Sequence, residues 1–247
     1  MADDKHISRL VEKVKAAENE IVMAVMFHET WKPAAYDENL HERMGNSYAT
    51  NSFNVVRQAL RRETLLALMR LWDDDHRSVG MQAIAKDLSA PSVFGTLVAH
   101  RARMRRPTIQ LGPSAGLSPT TIEDAYKDTL NERREEFCAL VSKYTQGGDG
   151  HATFKKLVRL RNVNLAHRQA MPTKPNHADP DDEEIEAFYN DNLEIVRLLL
   201  SLVLGRAFDL KDVSGVYNYH AKFFWAAARG EHTEGHPDYR PPPGARE

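Results

Sequence analysis

The sequence predicts an all-α protein, a helical bundle with additional helices at its N- and C-terminal ends. Apolar residues recur with the helical period of about 3.6 residues along almost the whole chain. No run shows the alternation of apolar and polar residues that is typical of a strand. Glycine and proline divide the periodic segments, and the clearest internal break covers Pro107–Pro119. These patterns together predict helices joined by loops.

Four helices are predicted before that break. The first begins at the aspartates near the N-terminus and ends at Trp31–Pro33, because proline interrupts a helix. The second covers Ser52–Trp72 and is followed by an aspartate run. Its predicted inner face consists of Phe53, Val56, Leu60, Leu65, Leu68 and Leu71. Two shorter helices are predicted over Val79–Leu88 and Pro91–Arg106.

Four more helices are predicted after the break. Thr120 and Glu123 have the spacing of a capping box and begin a helix that extends to Tyr144, before a glycine cluster. The next helix covers Phe154–Gln169. Asp179 and Pro180 form a cap and first turn for a helix over Glu183–Phe208, and a last helix covers Lys211–Ala228.

Length and composition predict one helical domain over residues 1–229 and a disordered polar tail over residues 230–247. The formal net charge of the 247 residues is only -2, so contact with nucleic acid would depend on local basic clusters. The single cysteine excludes an internal disulfide framework. No apolar run reaches the length of about 20 residues that crosses a bilayer. We therefore expect a cytoplasmic protein without membrane contact.

One arginine lies where the helical period demands an apolar side chain. Phe154, Leu157, Val158 and Leu165 fall within roughly 60° of Arg161 on their helix. An unpaired buried charge is strongly destabilising, so we expect Arg161 to meet a partner, line a cleft or lie at a subunit interface. Asn164 and His167 turn away from it by about 60° and 120°. Arg161, Asn164 and His167 form a polar ribbon, and such side chains can bind phosphate and move a proton.

The predicted architecture and the polar ribbon resemble the HEPN family, whose members are helical bundles carrying an arginine, four to six residues and a histidine. Here Arg161 is followed by five residues and then His167, with the polar Asn162 directly after the arginine. The segment Leu65–Asp74, L-L-A-L-M-R-L-W-D-D, is similar to the abortive-infection AbiU branch in particular. The likeness covers roughly Ser52–Phe208.

The spacing of arginine and histidine is weak by itself, because two other pairs in the chain match it. Arg70 to His76 crosses an aspartate run, and Arg229 to His236 lies among glycine and proline. Arg161 to His167 alone of the three stays on one uninterrupted predicted helix.

The resemblance implies a metal-independent endoribonuclease that needs no cofactor and acts as a homodimer, with two polar ribbons facing each other across a cleft. His167 would move protons, and Arg161 would hold the phosphate oxygens and stabilise the charge that develops there. Asn164 could orient either residue. Asn162 and Arg168 would contact substrate phosphate at the rim. Such a protein would be a toxin or phage-defence effector, held in check by an antitoxin or regulatory protein.

A structural interpretation stays open beside the catalytic one. Arg161 could anchor an ion pair with Asp73, Asp74 or a glutamate of a neighbouring helix, and His167 could be an ordinary core or surface residue. The protein would then be a non-catalytic helical interaction or dimerisation module of a defence or toxin–antitoxin system.

Other features are more simply explained by structure. No metal site is predicted, because His76 beside Asp73–Asp75 and His177 near Asp179 lack convincing ligand spacing. The basic cluster His100–Arg106 fits a helix C-terminus or an RNA-backbone contact. We expect Cys138 to be a small buried hydrophobe. The tryptophans, predicted to be core or interface residues, are Trp31, Trp72 and Trp225.

Overall fold

A computed structural model of the chain describes residues 2–46, 48–75, 77–105, 119–162 and 179–227, together with Asp238 and Arg240. Over these ranges the chain forms helices and no strand, which confirms the all-α prediction. None of the described helices is both long and apolar enough to span a bilayer. The helices are α1 (Ala2–Tyr36), α2 (Glu38–Met44), α3 (Tyr48–Arg70), α4 (Met81–Ser89), α5 (Pro91–Arg105), α6 (Pro119–Lys143), α7 (His151–Leu160), α8 (Asp182–Leu199) and α9 (Leu210–Ala227).

The residues group into two compact units. Unit 1 contains Met1–Ile21 and Leu68–Asp209, and unit 2 contains Val22–Ala67 and Leu210–Glu247. The single domain expected over residues 1–229 stays a prediction. The predicted tail lies outside the described residues except for Asp238 and Arg240.

Unit 1 is organised around α6. This helix packs against α4, α5 and α8, and α4 also packs against α5. A π-helical turn, Leu200–Leu204, continues α8 and contacts α5 and α6. The largest side chains that are fully buried in this unit are Tyr144, Phe137, Phe188, Ile7, Ile21, Leu68, Met69, Leu71, Met81, Ile84 and Leu88. This core fixes the ends of α3, α6 and α8 beside α7.

Both ends of α8 differ from the prediction. Asp181, not Asp179, is the N-cap, and it forms a complete capping box with Glu184. Beyond α8 and its π-helical turn, the helical segment ends at Gly205 and does not reach Phe208. Gly205 has a φ of 69°, a conformation that favours glycine, and a Cβ there would collide with the Arg101 guanidinium.

Unit 2 has a core of its own. Its buried cluster contains Ala34, Leu40, Met44, Phe53, Ala221 and Trp225, with Leu60 packed against it. The prediction that α1 ends at Trp31–Pro33 is wrong, because burial of Trp31 and Ala34 holds the helix together past the proline. The short helix α2, capped by Asp37, was not predicted. Val56 was expected on the inner face of α3 but is 41% exposed.

The remaining helix predictions agree with the structure to within a few residues. The helix expected over Phe154–Gln169 begins at His151 as α7, and its predicted end lies outside the described residues. The three tryptophans are buried, as expected. Cys138 differs, because it is only half-buried, with its Sγ atom 3.6 Å from Ser89 Oγ. The loop expected over Pro107–Pro119 lies outside the described residues apart from Pro119, which begins α6.

Candidate functional site

The site is built on α7, which begins after the glycine-rich turn that follows α6. Phe154 on α7 packs against Trp72 and Phe188, with ring centroids 5.2 and 6.2 Å away. Leu157 and Leu160 are buried about one and two turns further along. Arg161 and Asn162 continue the helix in a π-helical turn. Packing of α7 through its apolar stripe therefore fixes where the backbone of Arg161 lies.

Among the described residues, the guanidinium of Arg161 has two close polar neighbours. Its Nε donates to Asn162 Oδ1 at 3.0 Å, and its Nη1 lies 4.0 Å from Asp73 Oδ2. One quarter of the Arg161 side chain is exposed, and nearly half of Asp73. The expected acidic partner is present, but the distance is longer than a hydrogen bond. Arg161 thus has a counter-charge and also a part open to solvent.

A buried hydrogen bond fixes the turn that carries Asp73. Trp72 Nε1 donates to Asn192 Oδ1 at 2.7 Å, and Asn192 Nδ2 donates to Phe188 O at 2.7 Å. Asn192 is fully buried in α8. The Trp72 ring also meets Tyr144 with centroids 5.6 Å apart. The residue before Asp73 is therefore held to α8 by both packing and hydrogen bonding.

Two ion pairs tie α6 and α7 to α8, and one member of each pair, Lys143 and Glu184, lines a cavity of about 310 Å³. Lys143 Nζ and Tyr144 Oη donate to Asp191 Oδ2 at 2.7 and 2.6 Å. Lys156 Nζ donates to both oxygens of Glu184, at 2.7 and 2.8 Å. These contacts orient α7 relative to α8 within unit 1.

The pairs also set two pKa values. Burial raises the pKa of Tyr144, and the hydrogen bond to the Asp191 carboxylate raises it further. The hydrogen bond from Lys156 lowers the pKa of Glu184 and outweighs the opposing effect of burial. Tyr144 therefore stays neutral and Glu184 stays charged near neutral pH.

The described structure contains part of the predicted site. Arg161 and Asn162 are in it and are brought together by a hydrogen bond. Asn164, His167 and Arg168 lie outside the described residues, so the position of His167 relative to Arg161 stays a prediction.

Among the described residues, no group of three or more His, Cys, Asp or Glu side chains is arranged to hold a metal ion. His76 and His177 lie outside those residues.

The sequence analysis did not identify the α8 residues that hold Trp72 and the end of α6. Asn192 interrupts the apolar stripe of Phe188, Ile195 and Leu199, which are buried on the same helix. Asn192 therefore shows the same sequence pattern as Arg161, a polar residue among apolar positions. No comparable sequence pattern indicated that Asp191 binds Lys143 and Tyr144.

One family model matches most of the chain. A family model described as HEPN_AbiU2: AbiU2 matches residues 7–224. The match begins in α1 and ends in α9, so it extends beyond the likeness expected over Ser52–Phe208. No curated protein and no solved structure matches the chain.

Proposed function

Because the chain belongs to the AbiU2 family of HEPN domains, we propose that it is a metal-independent endoribonuclease that acts as a homodimer in phage defence or as a toxin. HEPN domains are often dimeric and act on RNA, which supports this proposal. The observation that carries it is Arg161, on a helix fixed by buried packing but with one quarter of its side chain exposed to solvent. Control by an antitoxin or regulatory protein belongs to the same proposal.

The chemistry requires only groups that the RNA and the polar ribbon supply. One His167 takes the proton of the RNA 2′-OH while that oxygen attacks the adjacent phosphorus. The bond from phosphorus to the 5′-oxygen breaks, and His167 of the second copy gives that oxygen a proton. The products are a 2′,3′-cyclic phosphate and a 5′-hydroxyl end. No metal ion or cofactor takes part in this scheme.

Arg161 would stabilise the negative charge that builds up on the non-bridging oxygens. Its Nη1 lies 4.0 Å from Asp73, so a phosphate could form shorter hydrogen bonds than that carboxylate does. The hydrogen bond from Nε to Asn162 fixes one edge of the guanidinium plane. Asn164 would orient Arg161 or His167, and Asn162 and Arg168 would contact phosphate at the rim.

The ion pair of Arg161 with Asp73 favours the second candidate function, a non-catalytic helical interaction module. In that case the guanidinium is an anchor between α7 and the turn after α3. Replacing Arg161 would then change stability or assembly, and the wild-type protein would have no cleavage activity.

The test is cleavage of RNA by the purified protein in excess chelator. We expect cleavage by the wild type, with 2′,3′-cyclic phosphate ends, and no cleavage of RNA carrying 2′-O-methyl groups. Arg161→Ala and His167→Ala should abolish most of the activity. Arg70→Ala and His76→Ala are matched controls, because this pair has the same sequence spacing without one continuous helix.

Two outcomes would overturn the proposal. Activity that survives both Arg161→Ala and His167→Ala removes the site assignment. Activity that disappears only on chelation indicates a metal-dependent enzyme.

A further inference from the structure

The outer face of α9 in unit 2 carries large apolar side chains that are exposed. Val216, Tyr219 and Phe223 are 53%, 61% and 61% exposed. They lie at intervals of three and four residues, which places them on one face of the helix. The Tyr219 and Phe223 rings contact each other with centroids 4.9 Å apart. A contiguous exposed apolar patch of this kind marks an interaction surface.

The core of unit 2 does not need this stripe, because the opposite face of α9 already fills it. Ala221 and Trp225 are buried there. Trp225 Nε1 donates to Thr30 O at 2.7 Å, and its ring meets Phe53 with centroids 5.3 Å apart. Both faces of α9 are therefore apolar, and within the described part of the chain only the inner face is covered.

Gly215 lies on the exposed face, 40° from Tyr219 on a helix with about 100° per residue. A Cβ built on it would meet no atom within 4 Å, so neither crowding nor a positive φ requires glycine there. Glycine inside a helix lowers its stability relative to alanine. A second helix that approaches the backbone of α9 closely would explain this residue.

We propose that α9 pairs in an antiparallel arrangement with α9 of a second copy of this chain. Asp212 near the start of the stripe and Lys222 near its end both lie within about 60° of Tyr219. Antiparallel pairing brings Asp212 of each copy opposite Lys222 of the other. The same register places Tyr219 of each copy over Gly215 of the other. One register thus pairs the opposite charges and also places the aromatic ring over the glycine. Because the pair has a two-fold axis, each of these contacts occurs twice.

The composition of the stripe favours a protein over RNA. Aromatic platforms for single-stranded RNA combine stacking rings with a basic groove. Here Lys222 is the only basic side chain within about 60° of Tyr219, and Asp212 offsets it. An apolar stripe with one acid and one base matches the composition of a helix pair.

The test is the assembly mass of the full chain, measured by sedimentation over a range of concentrations. The double variant Tyr219→Ser with Phe223→Ser should weaken the association about tenfold or more, since buried aromatic residues dominate such interfaces. Val55→Ser is the matched control, because Val55 is 66% exposed on α3 of the same unit but outside the stripe. A mass that is the same for the wild type and the double variant would contradict the proposal.

Two further variants separate pairing from effects on folding. Gly215→Ala should raise the melting temperature of the separate copies while it weakens their association, because the added methyl group lies between the helices. Asp212→Lys and Lys222→Asp should each weaken association, and their combination should restore it. If the double variant associates more weakly than either single variant, the antiparallel register is excluded.

The proposal does not rest on the nuclease activity. The α9 variants should reduce the assembly mass even in a protein that carries His167→Ala. If they leave the mass unchanged but reduce binding of single-stranded RNA, the stripe binds RNA and self-pairing is wrong.

Discussion

Trp72 and Asp73, which follow α3 in unit 1, each make a side-chain contact with a distant part of the chain, and these contacts differ in burial and distance. Trp72 and Asn192 form a hydrogen bond of 2.7 Å that is closed to solvent. Asp73 directly follows Trp72 in the sequence and pairs with Arg161. The charged atoms of Asp73 and Arg161 are 4.0 Å apart, and both side chains are partly exposed. We call the buried hydrogen bond of Trp72 with Asn192 the closed contact and the partly exposed ion pair of Asp73 with Arg161 the open contact.

The difference indicates how this region divides stability and function. Breaking a buried hydrogen bond leaves an unsatisfied polar group and costs about 1–3 kcal/mol. The ion pair of Arg161 with Asp73 is partly exposed and long, and such a pair contributes about 0–1 kcal/mol, so its members can exchange partners at little cost. We infer that Trp72 and Asn192 hold the turn in place, whereas Arg161 is available to a phosphate.

The largest expected effect is on catalysis by Arg161→Ala. Removing a group that stabilises transition-state charge typically lowers kcat by about 100- to 1,000-fold. The free energy of unfolding should fall by about 1 kcal/mol, because the ion pair is long but most of the Arg161 side chain is buried. Cleavage rates and urea denaturation measured on the same preparation check both numbers. A destabilised variant that keeps its cleavage rate would reverse the roles given to the two contacts.

Asn192→Leu should have the largest effect on stability. The leucine cannot accept the Trp72 indole N–H, which then stays buried without its partner, so unfolding should become easier by about 1–3 kcal/mol. The folded fraction should cleave RNA at the wild-type rate. Chemical denaturation checks the first expectation, and Asn190→Leu, an exposed change on the same helix, is the control.

Alkaline pH tests a second buried contact with α8. The pKa of Tyr144 is raised in the folded protein by burial and by Asp191, while the unfolded value stays near 10. The unfolded chain therefore loses this proton first, and stability should fall as pH rises above about 10. Tyr144→Phe should reduce that loss. An equal alkaline slope in both proteins would show that Tyr144 does not contribute.

Asp73→Asn should have the smallest effect. The ion pair with Arg161 is long and partly exposed, so we expect a change in unfolding free energy of about 0–1 kcal/mol. The cleavage rate should stay near that of the wild type, because the proposed role of Arg161 requires phosphate and not Asp73. A loss of activity as large as that of Arg161→Ala would mean that Asp73 orients the guanidinium during catalysis.

The sequence predicted the features that depend on repeating patterns. The 3.6-residue period predicted the helices, and the arginine within an apolar stripe predicted a charge in need of a partner, which Asp73 provides. The segment that includes Trp72 and Asp73 carried the family likeness, Trp72 was predicted to be a core or interface residue, and Asp73 was named as a possible partner of Arg161. The hydrogen bond of Trp72 with Asn192 is apparent only in the folded structure, because contacts between residues that are distant in sequence have no local sequence pattern.

The errors also have physical reasons. Pro33 removes one hydrogen bond donor, and the burial of Trp31 and Ala34 outweighs that loss. Asp179 and Asp181 are both suitable N-caps, and the reciprocal hydrogen bond with Glu184 selects Asp181. The placement of His167 relative to Arg161 still depends on the sequence alone.

The most direct test of this division of roles is the RNA-cleavage rate per folded molecule, in excess chelator, for Arg161→Ala beside Asn192→Leu. We predict that Arg161→Ala loses about 100-fold or more of the rate, whereas Asn192→Leu keeps it. Equal rates in the two variants would contradict the claim that the open contact serves catalysis and the closed one serves stability.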